Sequence, residues 1–181
     1  MGTSHLKSAG ITNSDASPVV ANTSGNGAAG FRQHTDGYVT AVASDAAGST
    51  YQLVRVPSTA IVKSLILESE AQGAGKINLS VYYSSSTTDG TQPSLQGLIV
   101  PTTGDQFFAS DVDLTSAVVP TNVTNESGNY TIDKRGKHLW DALGLTTDPG
   151  GWFDIVGVVH TTAITTGTGK IYLSCEYVAG S

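Results

Sequence analysis

The segment Lys76-Ile-Asn-Leu-Ser-Val-Tyr-Tyr83 alternates apolar and polar residues along its length. Side chains of an extended strand point to opposite faces in turn, so Ile77, Leu79, Val81 and Tyr83 line one face and Lys76, Asn78, Ser80 and Tyr82 the other. Strand-sized runs recur along the chain. Tyr38–Ala43, Tyr51–Val56 and Ile61–Glu70 precede this one, and Trp152–Thr161 and Gly169–Val178 close the chain. Pro57 stops the second run, because proline cannot donate to a ladder. Trp152–Thr161 is apolar on both faces, as a central strand is. Gln106–Ser110 and Leu114–Val119 read as weaker strands, and Leu98–Val100 as a short edge strand. The turn residues 71–75, Ala-Gln-Gly-Ala-Gly, predict a hairpin between Ile61–Glu70 and Lys76–Tyr83. Ile164-Thr-Thr-Gly-Thr-Gly169 predicts a second hairpin between the last two strands. Short strands joined by Gly-rich turns make the chain all-β, a β-sandwich or jelly roll.

One helix interrupts this pattern. Lys137-His-Leu-Trp-Asp-Ala-Leu143 carries Asp133 near its start and Gly144 at the left-handed position after its end, with Leu145 set to pack on Trp140. Residues 1–36 show no period, and Asn22–Gly30 is small and polar. The expected organisation is an extended N-terminal arm over 1–36 and a β-sandwich body over 37–181. Ordering each arm residue costs about 1–2 kcal/mol of backbone entropy, which so few apolar groups cannot offset from within. An ordered arm therefore draws its contacts from elsewhere, and Leu6, Ile11, Val19, Val20 and Phe31 are the candidate partner-binding anchors. The alternative is a tail without fixed contacts. Residues 84–104 form a long loop, the kind that serves as an interaction surface.

Charge excludes several occupations. The chain has 9 Lys and Arg against 15 Asp and Glu, a formal net charge of −6. Lys134, Arg135 and Lys137 form its one basic cluster, so the footprint a nucleic-acid binder needs is missing. No apolar run approaches the ~18 residues of a membrane-spanning helix. His5, Lys7 and Asp15 interrupt the start where a signal peptide has its apolar core, so folding in a cytoplasm is expected. The single cysteine, Cys175, cannot form an internal disulfide and sits on the apolar face of its strand, which predicts a buried structural thiol.

Motifs with chemical content are weak. Gly25-Asn-Gly-Ala-Ala-Gly30 matches GxGxxG but lacks the strand before it and the helix after it. Gly167-Thr-Gly-Lys170 resembles the end of a P-loop, yet Ile164 and Ile171 stand where a Gly and a Ser or Thr are required. His5, His34, His138 and His160 are far apart in sequence, and no GxSxG elbow exists. Asp111 and Asp113 place two carboxylates on one side of an extended segment, with Asp105 and Glu126 nearby, but calcium wants six to eight oxygens. No Cys/His spacing suits zinc. The N-x-S/T triplets at Asn22, Asn78, Asn122, Asn125 and Asn129 arise by chance in so Ser- and Thr-rich a chain. Tyr82, Tyr83 and Trp152 could form a sugar platform if they shared an exposed face, although packing within the sheets is the commoner use of such residues. No catalytic residue, metal or cofactor is assigned, and an enzyme is not expected.

Taken together, several stretches resemble a known family. These are Lys7-Ser-Ala-Gly-Ile-Thr-Asn-Ser-Asp-Ala-Ser-Pro18, Gly37-Tyr-Val-Thr40, Ser49-Thr-Tyr-Gln-Leu-Val-Arg-Val-Pro-Ser58, Leu139-Trp-Asp-Ala-Leu-Gly144 and Gly151-Trp-Phe-Asp-Ile-Val156. They look like small virion structural proteins of tailed bacteriophages, of the head decoration or cement type. The loop at 84–104 is outside the resemblance. The resemblance implies a β-rich body on the outer capsid surface, made in the host bacterial cytoplasm and clustered symmetrically as a homo-trimer. It also implies arms that grip the major capsid protein, bridging its subunits and stabilising the shell, with no nucleic-acid or membrane partner. The alternative is a tail or tail-fibre component, with carbohydrate binding as its occupation.

Overall fold

The structure is a computed structural model. It describes residues 5–8, 11–12, 15–17, 32–84, 106–166 and 168–179. The strands among them are β1 (His5–Lys7), β2 (Arg32–Thr40), β3 (Thr50–Pro57), β4 (Ile61–Ser69), β5 (Lys76–Tyr83), β6 (Ala109–Asp113), β7 (Val118–Asn122), β8 (Trp152–His160) and β9 (Lys170–Val178). They form two sheets, ordered β1-β3-β8-β5-β6 and β2-β9-β4-β7. β2 pairs with β9, β3 with β8, β4 with β7 and β5 with β6, all antiparallel. Strands β2 to β5 thus run out, and β6 to β9 run back beside them in reverse. That is a jelly roll, with β1 added in parallel to the β3 edge.

Period-2 alternation explains the core. Leu65 and Leu67 of β4 and Leu173 and Cys175 of β9 face Ile77, Leu79, Ile155 and Phe153 of the other sheet, all fully buried. Phe107, Phe108 and Tyr130 close the far end with ring centroids 4.9–5.5 Å apart, and the Tyr130 hydroxyl donates to the Val62 carbonyl at 2.9 Å.

Neither expected hairpin exists. β4 and β5 lie in different sheets, as do β8 and β9. The turn residues do reverse the chain, but they carry it across the sandwich. Their two links lie side by side: the Thr165 and Thr166 amides donate to the Gln72 carbonyl, and the Glu70 amide donates to the Lys170 carbonyl. Gly73 and Gly75 take φ of +70° and +103° there, and a Cβ on Gly73 would strike Thr166. Crossing lets both strands of each pair bury their apolar faces toward one core.

Other boundaries shift. β2 begins at Arg32, ahead of the expected Tyr38, because Arg32–Asp36 find ladder partners in Ser174–Val178. β6 and β7 begin three and four residues later than expected, because Phe107, Phe108 and Leu114 are drawn into the core. The helix is a single turn, Leu139–Ala142, and its Leu139 and Trp140 amides donate to the carbonyls of Ala60 and Ser58. Gly144 takes the left-handed conformation at φ +82° as expected, and the Leu145 amide donates to the Trp140 carbonyl. The edge strand Leu98–Val100 and the loop beyond Ser84 lie outside the described residues.

Candidate functional site

The two sheets expose their outer faces very differently. On β3, β8 and β5 the outward residues Gln52, Asn78, Ser80, Tyr82, Asp154, Val156 and Val158 are all buried. On β2, β9 and β4 the outward residues Arg32, His34, Asp36, Tyr38, Lys170 and Glu68 are exposed.

The sealed face carries an ionic cluster. Arg55 of β3 offers a two-pronged guanidinium to Asp154 of β8, with Nε to Oδ1 at 2.6 Å and Nη2 to Oδ2 at 3.0 Å. Its Nη1 donates to Asp15 of the N-terminal segment, whose other oxygen receives Lys7 Nζ at 2.7 Å. Side-chain exposure is 1% for Asp154, 10% for Arg55 and 13% for Asp15. Burial pushes the Asp15 carboxyl up, but hydrogen bonds and charge from Arg55 and Lys7 outweigh it and hold its pKa below the usual carboxylate value. At Asp154 burial wins over the pull of Arg55, and the carboxyl is pushed up. The Ser8 amide donates to the Gln52 carbonyl at 2.7 Å, and a Cβ on Gly37 would strike the Leu53 carbonyl oxygen and Ser8. These contacts fasten the N-terminal segment where the two sheets meet.

The open face carries two polar rows. His34 Nε2 lies 2.7 Å from Ser174 Oγ, and His34 Nδ1 lies 3.8 Å from Asp36 Oδ1. The residue types are those of a hydrolytic triad, but the chemistry is not assembled. The carboxylate is beyond hydrogen-bond reach, and Ser174 sits on the central strand β9, whose amides serve the ladders to β2 and β4 and cannot form an oxyanion hole. Next to it Tyr38, Tyr172 and Glu68 are register neighbours across β2, β9 and β4. They line a groove of about 600 Å³, bounded by Val118, Val119 and Pro120 of β7.

Of the five arm anchors, Leu6 packs on this chain's own core and Ile11 is 1% exposed. Val19, Val20 and Phe31 lie outside the described residues. Asp111 and Asp113 do not act together: Asp111 takes φ +54° and meets His160 Nδ1 at 2.6 Å, while Asp113 accepts from the Thr115 amide at 2.8 Å. Cys175 is buried and unpaired, and burial, followed by the Glu176 charge, pushes its thiol up, away from the reactive thiolate. Tyr82, Tyr83 and Trp152 form no common platform, since Tyr82 is sealed in, Tyr83 stacks edge-on to Phe153 and only Trp152 is well exposed. Among the described residues no helix is long and apolar enough to cross a membrane. The cluster at Arg55, Asp154 and Asp15 was not anticipated, although two opposite charges inside strand-sized apolar runs were its signal.

The fold defines the class first: a single jelly roll with an added N-terminal strand. Neither protein-family models nor curated proteins match the sequence. Among solved structures, a chain of the capsid of Ralstonia phage GP4 is similar at TM-score 0.64 and 14% identity, covering 98% of this chain and 99% of that one. A chain of the cyanophage Pam1 capsid asymmetric unit matches at TM-score 0.39 and 14% identity over 90% and 96% of the two chains, too loosely to carry weight. At such identities the GP4 likeness is one of fold.

Proposed function

We propose that this chain is a non-enzymatic virion structural protein of a tailed phage, which decorates the outer capsid surface and bridges major capsid protein subunits as a homo-trimer. The observation that carries the reading is the end-to-end fold likeness to a chain of a phage capsid. One further feature supports it: a net charge of −6 suits an outer position better than one facing packaged DNA. Stabilisation of a shell needs only many modest contacts repeated by symmetry. Ile11 is buried within this chain and Leu6 only partly, so the proposed grip on a neighbour falls to Leu6, Val19, Val20 and Phe31.

The test is reconstitution. Capsids stripped of this protein should release DNA at lower temperature, and adding back the purified chain should restore retention while host adsorption stays unchanged. Adsorption that depends on the chain, with an unaltered shell, would assign it to the tail instead.

A further inference from the structure

The groove on the open face combines two tyrosines, two carboxylates and a lysine. Tyr38 and Tyr172 are direct cross-strand partners, and Glu68 faces Tyr172 from the next strand, so three strands fix one row of side chains. Tyr38 is 50% exposed and Val119 of the opposite wall 72%. The Lys170 ammonium lies over the Tyr38 ring, 5.3 Å from its centroid. Glu70 Oε2 accepts the Lys170 amide at 2.7 Å, which fixes the second carboxylate at the groove's end.

The chemistry narrows the occupant. Glu68, Glu70 and Lys170 in its lining give the groove both signs of charge, which suits a neutral ligand that both donates and accepts. Tyrosine offers a flat apolar ring with a polar tip, the surface on which the C–H face of a sugar ring lies. A peptide joining the edge as an extra strand is disfavoured, because Pro120 in the middle of β7 has no amide to donate. A volume of about 600 Å³ lies within the range of small-ligand sites.

We propose that this groove binds a neutral oligosaccharide. A hexose ring packs on Tyr172 and against the edge of the Tyr38 ring, whose face Lys170 covers, its hydroxyls donating to Glu68 and accepting from Lys170. The site stands on the groove alone, wherever in a virion the chain resides, and binding by the isolated chain is independent of shell placement.

The test is an amide NMR titration of the full-length chain with maltotriose, cellotriose and triacetylchitotriose. At least one should give saturable shifts confined to residues 38, 68–70, 117–120 and 170–172, with a Kd of about the millimolar order. Tyr38→Ala and Glu68→Gln should each weaken it about tenfold or more, whereas Trp152→Ala, an exposed aromatic away from the groove, should not. Both groove positions are exposed, and spectra that superimpose away from the groove establish that the variants fold. The proposal is overturned if none of the three sugars shifts these residues, if binding survives both groove substitutions, or if an arginine-rich peptide saturates the groove where the sugars do not.

Discussion

On β3, β8 and β5, the outward residues Gln52, Ser80 and Asp154 are shut away from water, and a guanidinium is buried with them. On β2, β9 and β4, the outward His34, Asp36 and Tyr38 stand in solvent, and the ion pair between Arg32 and Glu176 spans 3.8 Å at a wet surface. Both faces carry polar and charged residues, and the sealed one also holds Tyr82, Val156 and Val158. The difference is what their polar groups cost and what they can do. A buried charge must be paired or the fold loses stability, so the sealed face is committed to holding the N-terminal segment. An exposed pair is worth little, so the open face is free to change its residues for recognition.

Substitutions at the two faces should therefore differ by an order of magnitude. Arg55→Ala strands the buried Asp154 and weakens the hold on Asp15, and should cost about 3–5 kcal/mol in denaturant unfolding. Gly37→Ala forces a methyl against the Leu53 carbonyl oxygen and Ser8 where the sheets meet, and should cost about 1–3 kcal/mol by the same measurement. Arg32→Gln, on the open face, should change stability by no more than about 0.5 kcal/mol. Equal losses from Arg55→Ala and Arg32→Gln would erase the contrast.

Acid should sharpen it. The Asp15 pKa is lowered in the folded chain, so the stability it contributes is complete above its unfolded value of 3.8 and is lost as pH falls through the lowered folded value. Asp154 runs the other way, since its carboxyl is pushed up and protonation relieves its burial. The amide of Ser8, which donates to Gln52, should keep its hydrogen-exchange protection at pH 5–7 and lose it below about pH 4, before the β9 amides do. In Asp15→Asn the protection should already be reduced at neutral pH.

Much of the body was legible in the residues. The alternation at Lys76–Tyr83 and the apolar run from Trp152 placed β5 and β8, because a strand's two faces are written locally. Which strand pairs with which was not legible. Ala-Gln-Gly-Ala-Gly at 71–75 says that the chain turns, and only the partners β9 and β8 decide that it turns across the sandwich. Phe107 and Phe108 misled for a related reason, since strand-forming aromatics can fill a core end instead of a ladder. Arg55, Asp154 and Asp15 are distant in sequence, so their cluster exists only in the folded chain. The groove was equally hidden, because Tyr38 and Tyr172 meet through the β2–β9 register and no motif links them.

The most direct test of the shell assignment is a cryo-EM map of virions that contain the chain. The account predicts jelly-roll density on the outside of the capsid, clustered in threes and touching more than one major capsid protein subunit. The same density found only at the tail, or absent from the capsid exterior, would contradict it.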